Sequence, residues 1–270
     1  MKPPDTPTVV LTIAAHDPLG GAGLVADLTT FAALGVHGTV AVTAVTAQHL
    51  DTVDRVEPMD ASLVAAQIDA ILDTFTVDAV KTGLLGSAAI VDLVADRIDD
   101  GRLPPPVVDP VLVDGRGNRF VGSDIERAYR ERLIPAAAVV TPNLREAALL
   151  AGRPLAEIGD VDEAAPALAA LGAGHVVVTG GADASERALD AVVGPDGAVT
   201  HLSGPWIETP HVRGSGCTFA AATTAGLGLG LGVTQAVRAA KTFVVDRLTA
   251  STWGDLGAVG PVAHWATAPS

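Results

Sequence analysis

The sequence predicts an α/β fold in which a mostly parallel sheet is covered by helices on both faces. Runs rich in Val, Ile and Thr alternate with helix-periodic segments along the chain, and residues of unusual chemistry fall just after the strands. Such alternation builds parallel sheets buried on both faces, and their ligands bind beyond the carboxyl ends of the strands. The 270 residues suit one large domain, residues 1–270, without linker, repeat or low-complexity block.

Each element follows from local pattern. Residues 9–14 are an apolar β-branched run closed by Gly20-Gly21-Ala22-Gly23, after which Leu24, Leu28 and Phe31 recur at helical spacing until Gly35. A strand over 39–45, a helix over 62–75 and a strand over 78–82 come next. A helix over 88–97 leads to a short buried strand at 107–109, stopped by Pro110. A helix over 125–133, a strand over 138–141 and helices over 144–151 and 161–171 precede a strand over 175–179. The runs 189–193 and 199–202, around Pro195-Asp196-Gly197, suit an antiparallel pair. Helices over 217–227 and 234–250 finish the pattern, with the glycine-rich stretch 226–232 as C-cap and turn.

Composition excludes several classes. Seventeen Lys and Arg against 31 Asp and Glu leave a formal net charge of −14, which repels a nucleic-acid backbone, and no basic run offsets it. Hydrophobic residues are 49% and aromatics 3%, favouring an aliphatic core over a ligand-stacking surface. A single cysteine excludes an intramolecular disulfide framework. Charged and small residues interrupt every apolar run, so no membrane span is expected, and the start Met1-Lys2-Pro3-Pro4-Asp5 has no apolar signal region; a cytoplasmic protein is the expectation. There is no Gly-Lys-Ser/Thr loop, no G-x-G-x-x-G, no G-x-S-x-G elbow and no histidine pair at metal-ligand spacing.

The densest signal is Arg213-Gly214-Ser215-Gly216-Cys217, a glycine turn running into the first turn of a helix. Backbone amides of residues 214–217 at a helix N-terminus attract anions, and the same field is expected to lower the Cys217 pKa toward thiolate. An oxyanion-binding turn beside a proton acceptor suits phosphoryl transfer to an alcohol. The other reading of Cys217 is a small buried hydrophobe.

Three further segments accompany that turn: Asp17-Pro18-Leu19-Gly20-Gly21-Ala22-Gly23, Val108-Asp109-Pro110 and Thr141-Pro142-Asn143-Leu144-Arg145-Glu146. Together, in this order, they resemble the hydroxymethylpyrimidine/phosphomethylpyrimidine kinases of the ribokinase-like superfamily. The resemblance implies a ribokinase-like three-layer sandwich, dependence on ATP and Mg2+, a pyrimidine alcohol as substrate, a place in thiamine biosynthesis, and a homodimer. By analogy Cys217 is the catalytic base, aided by Gly214, Ser215 and Gly216. Ala15, Asp17, Gly20, Gly21, Gly23, Asp27, Gln48 and Leu84 fall on the substrate side. Asp109, Asn143, Thr179, Arg213 and Lys241 fall on the nucleotide side, with Asp109 and Glu146 toward magnesium. The glutamine amide offers donor and acceptor together, as pairing with a pyrimidine requires.

Plainer roles stand beside these. Asn143 with Glu146 three residues on is also a capping box. Asp109 suits a turn before proline, Asp27 a solvated helix face, and Lys81 a surface or ion-paired lysine. Five positions depart from the family pattern. Ala15 and His16 stand where Gly and Ser or Thr are usual, Thr179 replaces a lysine expected near the nucleotide phosphates, and Arg213 replaces a histidine. Leu84 stands where methionine is common. Arg213 is therefore expected to restore positive charge near the phosphates, and His16 either contacts substrate or caps its loop. Pyridoxal kinase and a catalytically weak pyrimidine-binding sensor are the alternatives.

Overall fold

Nine strands form one sheet in a computed structural model that describes residues 6–50, 52–113, 119, 121–182, 187–254, 256 and 259–266. The strands are β1 (Val9–His16), β2 (His37–Gln48), β3 (Val53–Pro58), β4 (Ala79–Thr82), β5 (Val107–Val108), β6 (Val139–Val140), β7 (Val176–Ala182), β8 (Arg187–Val193) and β9 (Val199–Pro205). Their order is β3-β2-β1-β4-β5-β6-β7-β8-β9. From β2 to β7 every pairing is parallel, whereas β3, β8 and β9 add antiparallel edges.

Neighbouring residues on a strand point to opposite faces, and here both faces are apolar. Leu11, Ile13, Val80, Val108, Val140, Val176 and Val178 join one core with α2 (Ala61–Thr74), α3 (Ala88–Asp99), α5 (Leu144–Ala151) and α6 (Val161–Ala169). Val107, Val139 and Val177 face α7 (Ser215–Gly228) and α8 (Val233–Ala250) in a second core. Val10 and Ala79 pack with Phe31 of α1 (Gly23–Ala33) and Ala221 and Ala225 of α7. The three layers match the expected architecture. Among the described residues no helix is long and apolar enough to cross a membrane.

Some elements differ from expectation. Strand β3 carries Asp54, Arg55 and Glu57, all exposed, and pairs only with β2; its burial is too slight to leave an apolar alternation. The helix expected over 125–133 begins as α4 (Ser123–Ala128) and widens into a π-helical turn, Tyr129–Leu133. Helix α7 begins at Ser215, two residues early, because Gly214 at φ +85° makes the N-cap turn.

The buried aliphatic layer gives a stability test. Ile68 is 0% exposed whereas Leu63 on the same helix is 51% exposed. Ile68→Ala is expected to cost about 2–5 kcal/mol in urea unfolding, and Leu63→Ala no more than about 0.5 kcal/mol. Equal losses would contradict this packing.

Candidate active site

Beyond the carboxyl ends of β1, β2, β4 and β5 lies a cavity of about 480 Å³. The sheet order turns around at β1, with β2 on one side and β4 on the other, and crossovers that diverge there leave a crevice. The N-terminus of α7 closes the opposite wall, presenting Gly214, Gly216 and Cys217. Ala15, His16, Asp17, Gly23, Gln48, Leu84, Asp109, Asn143, Glu146 and Arg213 also line it.

The two glycine turns meet through backbone. Gly214 at φ +85° approaches Gly21 so closely that a Cβ would collide with the Gly21 carbonyl, and a Cβ on Gly23 at φ +57° would collide with the Ala15 carbonyl. Gly21 itself packs against Pro261 and Arg213. The Ser215 amide is bonded to the Val212 carbonyl, and Ser215 is not on the cavity wall. The amides of Gly216 and Cys217 lie in the first helical turn, where no intrahelical acceptor exists.

Beneath the cavity runs a chain of buried charge. Lys81 and Asp27 are both 0% exposed, with Nζ 2.9 Å from Asp27 Oδ2, which also accepts from Thr12 Oγ1 at 2.6 Å. Lys81 Nζ lies 3.9 Å from Asp109 Oδ2. Burial alone would lower the Lys81 pKa, but Asp27, Cys217 and Asp109 outweigh it and hold the ammonium well above the usual lysine range. Burial raises Asp109, Lys81 opposes, and the Cys217 thiol donates a hydrogen bond to its carboxylate.

The expectation of a lowered Cys217 pKa is overturned. Burial pushes the thiol up to about 12, with Asp109 and Asp27 adding to it; Lys81 and an amide hydrogen bond from Gly23 pull the other way and do not prevail. Cys217 is half-buried on the cavity wall and is not a core hydrophobe.

The capping reading of Asn143 and Glu146 holds, and both residues also line the cavity. Asn143 Oδ1 caps α5 by accepting from Arg145 N and Glu146 N at 3.0 Å, and Glu146 Oε2 accepts from Asn143 N at 3.0 Å. Glu146 Oε1 takes the Leu112 amide at 2.8 Å. Burial first, then Asp109, pushes Glu146 up to about 7. No group of three or more His, Cys, Asp or Glu side chains gathers at metal-binding distance among the described residues. Two carboxylates on one cavity fit a hard divalent cation that takes its other ligands from phosphate and water.

Several expected residues lie elsewhere. Asp27 is neither solvated nor on the cavity wall, because it is the counter-ion of Lys81. Gly20 and Gly21 shape the turn from behind the wall. Lys241 is 2.6 Å from Asp190, whose other oxygen accepts from the Gly180 amide at 3.2 Å. Thr179 joins Asn143 through a β-bridge, so this second polar cluster adjoins the cavity without lining it. Thr46, Leu50, Thr52, Val53, Val111 and Val113 line the cavity unforeseen. Val111, just past Asp109-Pro110, has φ +44°, a conformation costly for a β-branched residue and frequent at functional sites.

The model of a family described as phosphomethylpyrimidine kinase matches residues 17–262. A hydroxymethylpyrimidine/phosphomethylpyrimidine kinase from Streptomyces coelicolor is 42% identical over 266 residues, covering 98% of this chain and 97% of its own. The chloroplastic thiamine biosynthetic bifunctional enzyme of Arabidopsis thaliana is 38% identical over 95% of this chain and 50% of its own. The crystal structure of an ADP complex of Bacillus subtilis pyridoxal kinase superimposes with a TM-score of 0.86 at 38% identity, covering 96% of this chain and 98% of that one.

Two outcomes test this geometry. Lys81→Met leaves Asp27 and Asp109 without their cation and is expected to destabilise by about 3–5 kcal/mol; Asp27→Leu added to it recovers much of that loss in a double-mutant cycle. Additive losses would mean the pair is not coupled. Separately, His264 is 1% exposed, its Nδ1 is 2.9 Å from Thr218 Oγ1, and burial lowers its pKa from the usual 6.5 to about 4. The unfolded chain then binds that proton more tightly, so stability present above pH 6.5 is lost as pH falls toward about 4. Melting temperature in His264→Gln is expected to fall less between pH 7 and roughly 4.5 than in wild type.

Proposed function

The chain belongs to the phosphomethylpyrimidine kinase family, and on that premise we propose that it transfers the γ-phosphoryl group of ATP to the hydroxymethyl oxygen of 4-amino-5-hydroxymethyl-2-methylpyrimidine, then phosphorylates the monophosphate, in thiamine biosynthesis. The observation that carries the reading is Cys217 on the cavity wall at the N-terminus of α7, hydrogen-bonded to Asp109 and facing the turn that holds Gly23.

The chemistry follows from these groups. In the resting site the thiol keeps its proton and gives it to Asp109 in a hydrogen bond. Passage of that proton through the Asp109 carboxylate to solvent leaves a thiolate opposite the Lys81 charge, with Asp109 ionised again. Cys217 Sγ then accepts the hydroxymethyl proton as the alcohol oxygen bonds to the γ-phosphorus and the bond to the ADP oxygen breaks. The amides of Gly216 and Cys217 are aimed at charge on the transferring group, each such donor being worth about 2.7–4 kcal/mol. Asp109 and Glu146 are the residues that would hold magnesium, which when bound neutralises phosphate charge during transfer. Gln48, at the end of β2, offers its amide to the pyrimidine edge.

The likeness to pyridoxal kinase supports a second substrate, since pyridoxal also presents a hydroxymethyl group on an aromatic nitrogen ring. ADP release with magnesium, ATP and each of hydroxymethylpyrimidine, its monophosphate and pyridoxal separates the two. Turnover on both pyrimidines is expected, with Cys217→Ala lowering kcat by about 10²–10⁴. Turnover on pyridoxal alone would reassign the substrate, and an unaffected variant would remove Cys217 as the base.

A further inference from the structure

We infer that Arg213 determines specificity on the alcohol side of the cavity and does not serve as a counter-ion for the nucleotide phosphates. The inference rests on the kinase reading above.

The backbone of Arg213 is held from both sides, its amide by the Gly260 carbonyl at 3.1 Å and its carbonyl by the Val262 amide at 3.0 Å. The side chain leaves this support and lines the cavity at 19% exposure. Nη1 donates to the Leu50 carbonyl at 3.1 Å, and Nη2 lies 3.4 Å from Asp17 Oδ2. Its stem rests on Gly21, where an added Cβ would lie 3.5 Å from Cδ. Leu50 lies in the turn joining β2 to β3, and Asp17 and Gly21 in the turn joining β1 to α1. Lys241, which family likeness assigns to the nucleotide side, is bonded to Asp190, and Thr179, assigned likewise, to Asn143 of the β6–α5 segment. The guanidinium reaches none of those residues in any hydrogen bond or ion pair among the described residues.

Two effects follow from that placement. Strand β3 pairs only with β2, so the β2–β3 hairpin is an edge ribbon, and the Arg213–Leu50 bond ties its turn to the body of the protein. The same hairpin brings Gln48, Leu50, Thr52 and Val53 to the cavity wall, so the latch sets where the pyrimidine-facing residues stand. Asp17 is 3% exposed and depends on this guanidinium for its charge partner. Without it an uncompensated carboxylate would face a neutral heteroaromatic alcohol, which raises the cost of binding that alcohol. Planar two-pronged contact of this kind is a property of arginine that lysine, a single point of charge, reproduces only in part.

The test is steady-state kinetics of Arg213→Ala and Arg213→Lys, varying the alcohol at saturating ATP and ATP at saturating alcohol. Calorimetric titration of hydroxymethylpyrimidine into nucleotide-free protein runs beside it, and melting curves show that each variant is folded. In Arg213→Ala, KM for the alcohol is expected to rise at least about tenfold with the calorimetric Kd following it, while KM for ATP stays within about twofold. Arg213→Lys is expected to fall between wild type and Ala. A rise in KM for ATP with the alcohol KM unchanged, or no change in either, overturns the inference. Wild type that turns over pyridoxal and no pyrimidine defeats the substrate reading alone, and the same KM comparison and titration then use pyridoxal.

Discussion

The buried ammonium of Lys81 is the constraint on which the rest of the site depends. A protein of net charge −14 has gathered Asp27, Asp109, Glu146 and an ionisable thiol around one cavity, and such groups cannot share a low-dielectric site without a cation. Lys81 supplies it from the middle of the sheet, on a strand flanked by β1 and β5. Its pairing with Asp27 binds β4 to α1, and Thr12 extends the same contact to β1. An ion pair this deep is weak evidence of added stability. Its clearer effect is to fix the site's electrostatics, because it sets a cation beside Asp109 and Cys217 on a wall that Asp17 and Glu146 also reach.

Close backbone contact does for shape what Lys81 does for charge. Gly214 and Gly21 touch without side chains between them, which brings the first turn of α7 against the loop after β1. The exposed amides of that turn and the Cys217 thiol therefore share a wall with residues from four strands. Bulk at either glycine would open the gap and separate the proton acceptor from the anion-binding amides.

Much of this was legible in the sequence. Strands buried on both faces read as continuous β-branched runs, so residues 9–14, 107–109 and 138–141 were recognisable, and glycine turns marked where the site would form. Strand β3 was not, because an exposed edge imposes no apolar pattern. The Cys217 pKa was misread because sequence reveals a helix end but not the depth at which it lies. Partners distant in the chain were equally hidden: Asp27 looked like a helix-face carboxylate until Lys81, 54 residues away, took it. Arg213 and Asp17 are separated by 196 residues, and neither position hints at the other. Asn143 and Glu146 presented two readings because the same N-x-x-E spacing that caps α5 also sets both residues on the cavity wall. Thr179 and Lys241 came from family likeness alone, and the cavity does not include them.

Residues 260–264 are synthesised after every strand and helix described here, yet they complete the loop that carries Arg213. Gly260 and Val262 bracket Arg213, Pro261 accepts from Trp253 Nε1, Ala263 bonds Ser251 Oγ, and His264 meets Thr218 inside α7. The contacts to Arg213 and Thr218 are long-range in the chain, and such closures form late in folding because their loop entropy must first be met. Every strand, both glycine turns and the cysteine precede α8, whereas the backbone clasp on Arg213 comes from beyond it. Competence in this protein thus waits on a short segment beyond α8, whose backbone finishes a site that the sheet and the glycine turns have already outlined.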